Sequence, residues 1–139
     1  MAYNRIRFNF QVEASELYGR VPRPTAEVHL RTGRNSWQLY FMYVDSGADY
    51  SIVSESVGTL LGFVKRRGEH VYRSRGIAGS VPCLMRRVQM RIGPNELEAD
   101  LGWAQSDEVP LLLGRHDVFD KFDVTLRQRL SETEFVWRG

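Results

Sequence analysis

The residues best suited to chemistry form one short run, Asp45-Ser46-Gly47, which directly follows an apolar stretch ending at Val44. Asp, Ser and Gly all favour tight turns, so a plain turn would account for the run. The same run also places a carboxylate at the end of a strand, where it could act as a general acid or base. These residue types leave both interpretations open, and the neighbouring segments must decide between them.

The segments around this run have the alternating pattern of β-strands. Period-two alternation predicts strands in "RIRFNFQV", "TAEVHLRT" and "SWQLYFMYV". The turn cluster "TGRNS" joins the last two into a predicted hairpin, whereas residues 18–24, with two prolines, are predicted to be an irregular connection. Further strands are predicted in both arms of "HVYRSRGIAGSVPCLMRRVQMRIG" and in "LEADLGWA", "VPLLLG", "DVTLRQ" and "EFVWRG".

Two short segments have helical spacing instead. The first contains Val57, Leu60 and Leu61, with Ser54 as its predicted cap and Gly62 at its end. The second, "RHDVFDKF", places three apolar residues on one helical face: Val118, Phe119 and Phe122. Eight or nine strands with one or two short helices predict a mainly β protein, most simply a small closed β-barrel.

Length and composition predict a single domain spanning residues 1–139. Residues 1–36 form an N-terminal extension with the first strands, and residues 37–126 carry the motifs. Hydrophobic residues make up 42% and charged residues 26%, which is ordinary for a globular protein. The net charge of +2 is too balanced to indicate nucleic-acid binding, and the arginine clusters are expected at solvated strand edges.

The reactive residues other than carboxylates indicate no further chemistry. Cys83 is the single cysteine, which excludes an intramolecular disulfide and favours a reducing compartment. We expect it to be a small buried apolar residue. The three histidines have no metal-ligand spacing, so we expect neither a metal nor a cofactor. With no apolar run of membrane-spanning length and no signal-peptide pattern, we expect a cytoplasmic protein that does not bind membranes.

Three motifs in order resemble those of the retropepsin-like aspartic proteases, single-domain relatives of pepsin that include the retroviral proteases. Asp45-Ser46-Gly47-Ala48 resembles the catalytic motif, and Gly76-Ile77-Ala78-Gly79 resembles the tip of the flap that covers the cleft. Leu112-Leu113-Gly114-Arg115 is similar to the segment that supports the catalytic loop. The resemblance covers roughly residues 37–126, and it implies an aspartic endopeptidase in which Asp45 is catalytic.

Peptide hydrolysis by carboxylates requires two of them, one ionised and one protonated. Two like charges roughly 3 Å apart cannot both ionise, so such a pair shares a proton. The chain contains one Asp-Ser-Gly run and is too short for two copies of the fold. We therefore expect a homodimer that brings together Asp45 of both copies, with an extended peptide or protein as substrate.

The resemblance also implies roles for the neighbours of Asp45. Ser46 would hydrogen-bond across the twofold axis, Gly47 would donate its N–H to the carboxylates, and the small Ala48 would allow close approach. Gly114 would leave room for the catalytic loop. Four residues would form the mobile flap tip: Gly76, Ile77, Ala78 and Gly79.

Three further expectations follow from the resemblance. Asp49 and Arg115 would form a structural ion pair near the cleft. Apolar residues would line the substrate pocket: Val109, Pro110 and Leu112, with Ile77 and Ala78 of the flap. The C-terminal strand Phe135-Val136-Trp137 is a candidate for pairing with a second copy.

Two alternatives to a protease remain open. The first is a non-catalytic peptide-binding or assembly module on the same fold, since a fold does not guarantee its usual chemistry. The second is a small barrel that binds single-stranded nucleic acid through its arginines and aromatic residues.

Overall fold

The computed structural model describes residues 4–76 and 79–139, and these residues form twelve strands and one α-helix. In chain order the elements are β1 (Arg5–Asn9), β2 (Gln11–Ser15), β3 (Gly19–Arg23), β4 (Thr25–Arg31), β5 (Trp37–Val44), β6 (Ser51–Val53), α1 (Glu55–Leu60), β7 (Tyr72–Gly76), β8 (Gly79–Ile92), β9 (Asn95–Ala104), β10 (Leu112–Leu113), β11 (Phe122–Arg127) and β12 (Glu132–Trp137). A short 3-10 helix, Gln128–Leu130, connects the last two strands.

Six of these strands close into a ring, in the order β4-β5-β10-β6-β9-β8. The ring closes where His29 and Leu30 of β4 pair with Arg91 and Met90 of β8. Strand β7 lies outside the ring and pairs with β8. Closure removes the free edges of the sheet, and it confirms the predicted mainly β fold with a small closed barrel.

Apolar residues at alternate positions of the strands fill the interior of the ring. Ala26, Val28 and Leu30 of β4 are at most 1% exposed, whereas Glu27 between them faces solvent. Strand β4 pairs with β5 in antiparallel register, which confirms the predicted hairpin.

The second predicted helix is wrong. Residues 115–121 form consecutive turns, and Phe122 already belongs to β11. Asp117 has φ +68°, a left-handed conformation that interrupts a right-handed helix, and its N–H is held by the Asp120 carboxylate at 2.9 Å. The apolar spacing reflects burial alone, because Val118 and Phe122 both enter the core.

The irregular connection predicted for residues 18–24 is also wrong, because it contains β3. Within the described part of the chain this strand pairs only with β2, and Pro22 lies opposite Val12. Proline is tolerated there because an edge strand does not need every N–H for a ladder. The first alternating run is divided at Phe10, so that β1 and β2 belong to different sheets.

The two ends of the described chain meet in a three-stranded sheet of order β1-β12-β11. Phe135 of β12 lies opposite Ile6 on one side and Val124 on the other. Since β12 is the central strand, neither of its edges is free. The predicted pairing of Phe135-Val136-Trp137 with a second copy is therefore wrong in this structure.

Helix α1 begins as predicted, with the Ser54 side chain accepting the N–H of Val57. Its buried residue, Gly58, lies against Trp103, whose indole N–H donates to the Glu55 carbonyl at 2.9 Å. Within residues 4–76 and 79–139, no helix combines the length and apolar character required to cross a membrane.

A buried ion pair joins the loop before β7 to strand β8. The Arg86 side chain, 6% exposed, donates to both carboxylate oxygens of Glu69 at 2.7 and 2.9 Å. Its guanidinium also lies over the Trp103 ring at 5.5 Å. These bonds from Arg86, with one from the Arg66 N–H, lower the pKa of Glu69 to about 2. The pair fixes the base of the β7–β8 hairpin.

Replacing Gly58 with alanine should destabilise the fold. The added Cβ would overlap the Trp103 ring, which is 3% exposed and held by its hydrogen bond. We expect a loss of about 2 kcal/mol from overpacking, even though alanine is the better helix former. Urea unfolding followed by tryptophan fluorescence measures it. Thr59→Ala, on the exposed side of the same helix, is the control, and equal stability of both variants would contradict the prediction.

Replacing Glu69 with glutamine should remove an acid-dependent contribution to stability. In the wild type, the unfolded chain takes up a proton near the ordinary pKa of 4.5 but the folded chain only near 2. The contribution is therefore present above about pH 4.5 and is lost as the pH falls towards about 2. We expect Glu69→Gln to be less stable than wild type at neutral pH and the difference to shrink across that window.

Denaturant midpoints of both proteins at a series of pH values test this. Glu96→Gln, which breaks the exposed Arg91–Glu96 pair, is the control and should change the midpoint little. A difference between Glu69→Gln and wild type that stays constant with pH would show that the Glu69 charge is not responsible.

Candidate active site

Asp45 lies on the loop between β5 and β6, and a strand from much later in the chain fits between these two. Strand β10 pairs in parallel with the end of β5, Leu113 opposite Val44. It also pairs with β6, Leu112 opposite Ile52. The loop 45–50 must therefore pass over the end of β10, which places Asp45 at a defined edge of the barrel.

Backbone hydrogen bonds attach this loop to the segment after β10. The Asp45 N–H donates to the Leu113 carbonyl at 3.1 Å, and the Arg115 N–H donates to the Ala48 carbonyl at 2.9 Å. Both ends of the run Asp45-Ser46-Gly47-Ala48 are thus held by the Leu112-Leu113-Gly114-Arg115 segment. The structure brings together the first and third of the predicted motifs.

The Asp45 carboxylate is oriented from within its own loop. Asp45 is half-buried, and its Oδ1 accepts the Gly47 N–H at 2.9 Å. A Cβ at position 47 would come within 3.2 Å of the same oxygen, so glycine gives the carboxylate the room it needs. Ser46 is exposed beside it. One oriented, accessible carboxylate can accept or donate a proton, but it cannot do both at once.

Gly114 supports the loop at its closest approach. A Cβ there would overlap the backbone of Tyr50, so no other residue fits without moving the loop. The Gly114 N–H donates to the buried Ser51 hydroxyl at 3.0 Å. Ser51 is not among the site residues predicted from the sequence, although a serine directly before the apolar Ile52-Val53 of a short strand was a usable signal.

Asp49 and Arg115 lie in contact, with Arg115 Nη2 2.9 Å from Asp49 Oδ1. Their side chains are 81% and 56% exposed, so the pair contributes little to stability on its own. The His116 N–H also donates to the Asp49 carbonyl at 2.7 Å. These bonds attach the second half of the loop to the chain after Gly114.

The residues predicted to line a pocket are partly assembled. Val109 and Leu112 pack on a small apolar cluster formed by Ile52, Cys83 and Ala104. Pro110 is exposed and is not part of this cluster. Burial raises the pKa of the Cys83 thiol, which agrees with its predicted role as a small apolar residue.

The predicted flap lies at the end of the β7–β8 hairpin, where Gly76 pairs with Gly79. Gly79 has φ +128°, a conformation that side chains disfavour. Ile77 and Ala78 lie outside the described residues. The lower part of the hairpin borders the small apolar cluster, since Cys83 belongs to β8 and Val81 packs there.

Beside the loop lies a cavity of about 580 Å³ that sequence analysis did not predict, bordered by Asp49, Tyr50, Asp100 and His116 among others. Asp100, His116 and Asp117 place their ligand atoms within 4.8 Å of one another. Arg87 donates to Asp100 at 3.0 Å and to Asp117 at 2.9 Å, so one arginine already binds both carboxylates. The group is an ion-pair network, and it fits a metal ion poorly.

Replacing Gly114 with alanine should displace the loop 45–50. We expect a stability loss of about 2 kcal/mol or more, because the Tyr50 backbone cannot move independently of the loop. Amide hydrogen exchange should quicken at Asp45 and Arg115, the donors that join loop and support. Gly33→Ala is the control, since its Cβ would meet the Leu61 carbonyl at an ordinary 3.7 Å. Unchanged exchange in Gly114→Ala would contradict the proposed support.

The fold resembles that of a solved protease. EIAV protease in complex with the inhibitor HBY-793 aligns over 74% of this chain and 88% of its own, with a TM-score of 0.50 and 21% sequence identity. No protein-family profile and no curated protein sequence matches the chain. At this identity the likeness shows the fold alone: a mainly β barrel of the retropepsin-like kind.

Proposed function

We propose that this chain is one half of an aspartic endopeptidase, in which Asp45 of two copies forms the catalytic pair. The observation that carries the proposal is the setting of Asp45. It lies at the end of β5, its Oδ1 accepts the Gly47 N–H, and β10 supports its loop from below. The fold that the chain shares with EIAV protease adds support, because the name of that protein describes a peptide-bond hydrolase.

The chemistry follows from two carboxylates that share one proton. The ionised Asp45 removes a proton from a water molecule, whose oxygen attacks the peptide carbonyl carbon. The protonated Asp45 of the other copy donates its proton to the carbonyl oxygen. The tetrahedral intermediate then breaks its C–N bond as a proton passes to the leaving nitrogen. No cofactor takes part.

The substrate in this proposal is an extended peptide that lies below the β7–β8 hairpin. Its backbone would hydrogen-bond as an added strand. Val109 and Leu112 would offer apolar contacts beside the Asp45 loop, and Gly76 and Gly79 would let the hairpin tip move aside. Ser46, exposed next to Asp45, would hydrogen-bond to its counterpart and align the two loops.

A non-catalytic peptide-binding or assembly module on the same fold is the second candidate. The position of β12 favours it, because the central place of this strand removes one route to a dimer. Without a dimer, Asp45 has no second carboxylate. The two candidates differ in whether peptide bonds are cut.

Replacing Asp45 with asparagine should abolish cleavage but leave assembly nearly unchanged, because asparagine keeps the size and loses the proton chemistry. Turnover of a peptide library at mildly acidic pH should fall by a factor of about a hundred to ten thousand. Sedimentation should give the same association state as wild type. Asp123→Asn, which changes an exposed carboxylate on β11, is the control and should cleave normally. Cleavage by Asp45→Asn at the parental rate would refute the protease assignment.

A further inference from the structure

The β2–β3 hairpin, residues 11–23 and here called the arm, stands outside the barrel. Among the residues that the structure describes, its two strands pair only with each other. The register puts Val12 opposite Pro22 and Ala14 opposite Arg20 on one face, the outer face. The other face carries Glu13 opposite Val21. An isolated two-stranded hairpin is marginally stable in water, so the arm needs contacts with other residues.

The inner face has its contacts within the chain. The Tyr43 hydroxyl donates to Glu13, and Arg23 lies 3.5 Å from the same carboxylate. Burial and the Glu13 hydrogen bond raise the pKa of Tyr43, which keeps this hydroxyl a donor. Glu13 and Val21 are half-buried. The Tyr43 hydrogen bond therefore attaches the arm to β5.

The outer face carries exposed apolar residues together with Arg20. Val12 is 53% exposed, and at the turn Leu17 and Tyr18 are 77% and 74% exposed. Ala14 is exposed beside them. Several exposed apolar side chains on one short hairpin are a feature of interaction surfaces.

The arm reaches the candidate site directly. It continues through Pro24, whose carbonyl accepts the Val44 N–H at 2.9 Å, and Asp45 is the next residue. The base of the arm is therefore close to the loop that lacks its second carboxylate.

We infer that the outer face of the arm docks against the arm of a second copy of this chain. The inference rests on the proposed function, which leaves the site incomplete without that copy. Strand β12 offers no free edge to a second copy, so another element must hold the two chains together.

Charge supports a second copy as the occupant. The arm contains two acidic and two basic residues, so its formal charge is zero. Glu13 and Arg23 pair with each other, whereas Glu16 and Arg20 form no ion pair among the residues that the structure describes. A twofold contact between two outer faces would let Glu16 of each copy meet Arg20 of the other, twice per dimer.

Leu17→Glu tests the apolar contact. We expect the dimer dissociation constant to rise at least about tenfold, because each of two leucines would be replaced by a charge in an apolar contact. The matched control is Leu60→Glu on α1, where the leucine is 74% exposed, and it should stay within about twofold of wild type. Sedimentation over a concentration series measures both, and circular dichroism verifies folding.

A charge exchange tests the partner's identity. Glu16→Arg alone should weaken the dimer severalfold, since it faces arginine with arginine. The double variant Glu16→Arg with Arg20→Glu restores opposite charges across a twofold contact and should recover wild-type association. Recovery of association is expected only when the partner is a second copy, because a second copy carries the same two substitutions. Another protein or a substrate would keep its original charges.

The outcomes separate this inference from the proposed function. If wild type and Leu17→Glu dimerise and cleave equally, the arm is not the interface and the protease proposal stands. If Leu17→Glu dimerises normally but loses cleavage, the arm contacts substrate and the inference is wrong. If wild type is monomeric at all concentrations and cleaves nothing, both proposals fail.

Discussion

The candidate site depends on one close approach, that of Gly114 to the backbone of Tyr50. The missing side chain at position 114 lets β10 fit between β5 and β6, two strands that follow each other in the chain. Once β10 is there, Leu113 and Arg115 can bind both ends of the Asp45 loop, and Ser51 can bind Gly114 itself. The carboxylate is oriented because its support is backbone, which has little freedom to move.

The loop is well supported, and under the proposed function it would need a second carboxylate. The Gly47 N–H donates to Asp45, and strand β10 supports the loop from below. The motif Asp45-Ser46-Gly47 contains no other carboxylate. In a symmetric pair, the repulsion between two like charges is what makes one of them a proton donor. Self-association would thus provide both an acid and a base from one residue. Any surface near Asp45 that can bind a second copy would then be important for activity.

Much of the fold could be predicted because its signals are local. Alternation identified the β4–β5 hairpin, Ser54 identified the start of α1, and Asp45-Ser46-Gly47 identified the loop. The errors arose where distant contacts decide. Val118 and Phe122 have helical spacing but enter the core from a turn and from the start of β11, and Pro22 is acceptable because β3 is an edge strand. Neither the buried hydroxyl of Ser51 nor the Arg87 network follows from neighbours in sequence, since their partners lie on other elements.

The terminal sheet has a consequence for how such a pair of chains would behave. Because β1 and β11 complete both sides of β12, the ladder that joins the two ends of the described chain is intramolecular. All three strands of this sheet come from one chain, so folding and assembly would be separate events. Assembly would then be governed by mass action between folded chains. Dilution would separate the two chains without unfolding either of them. The local protein concentration would set the number of complete sites.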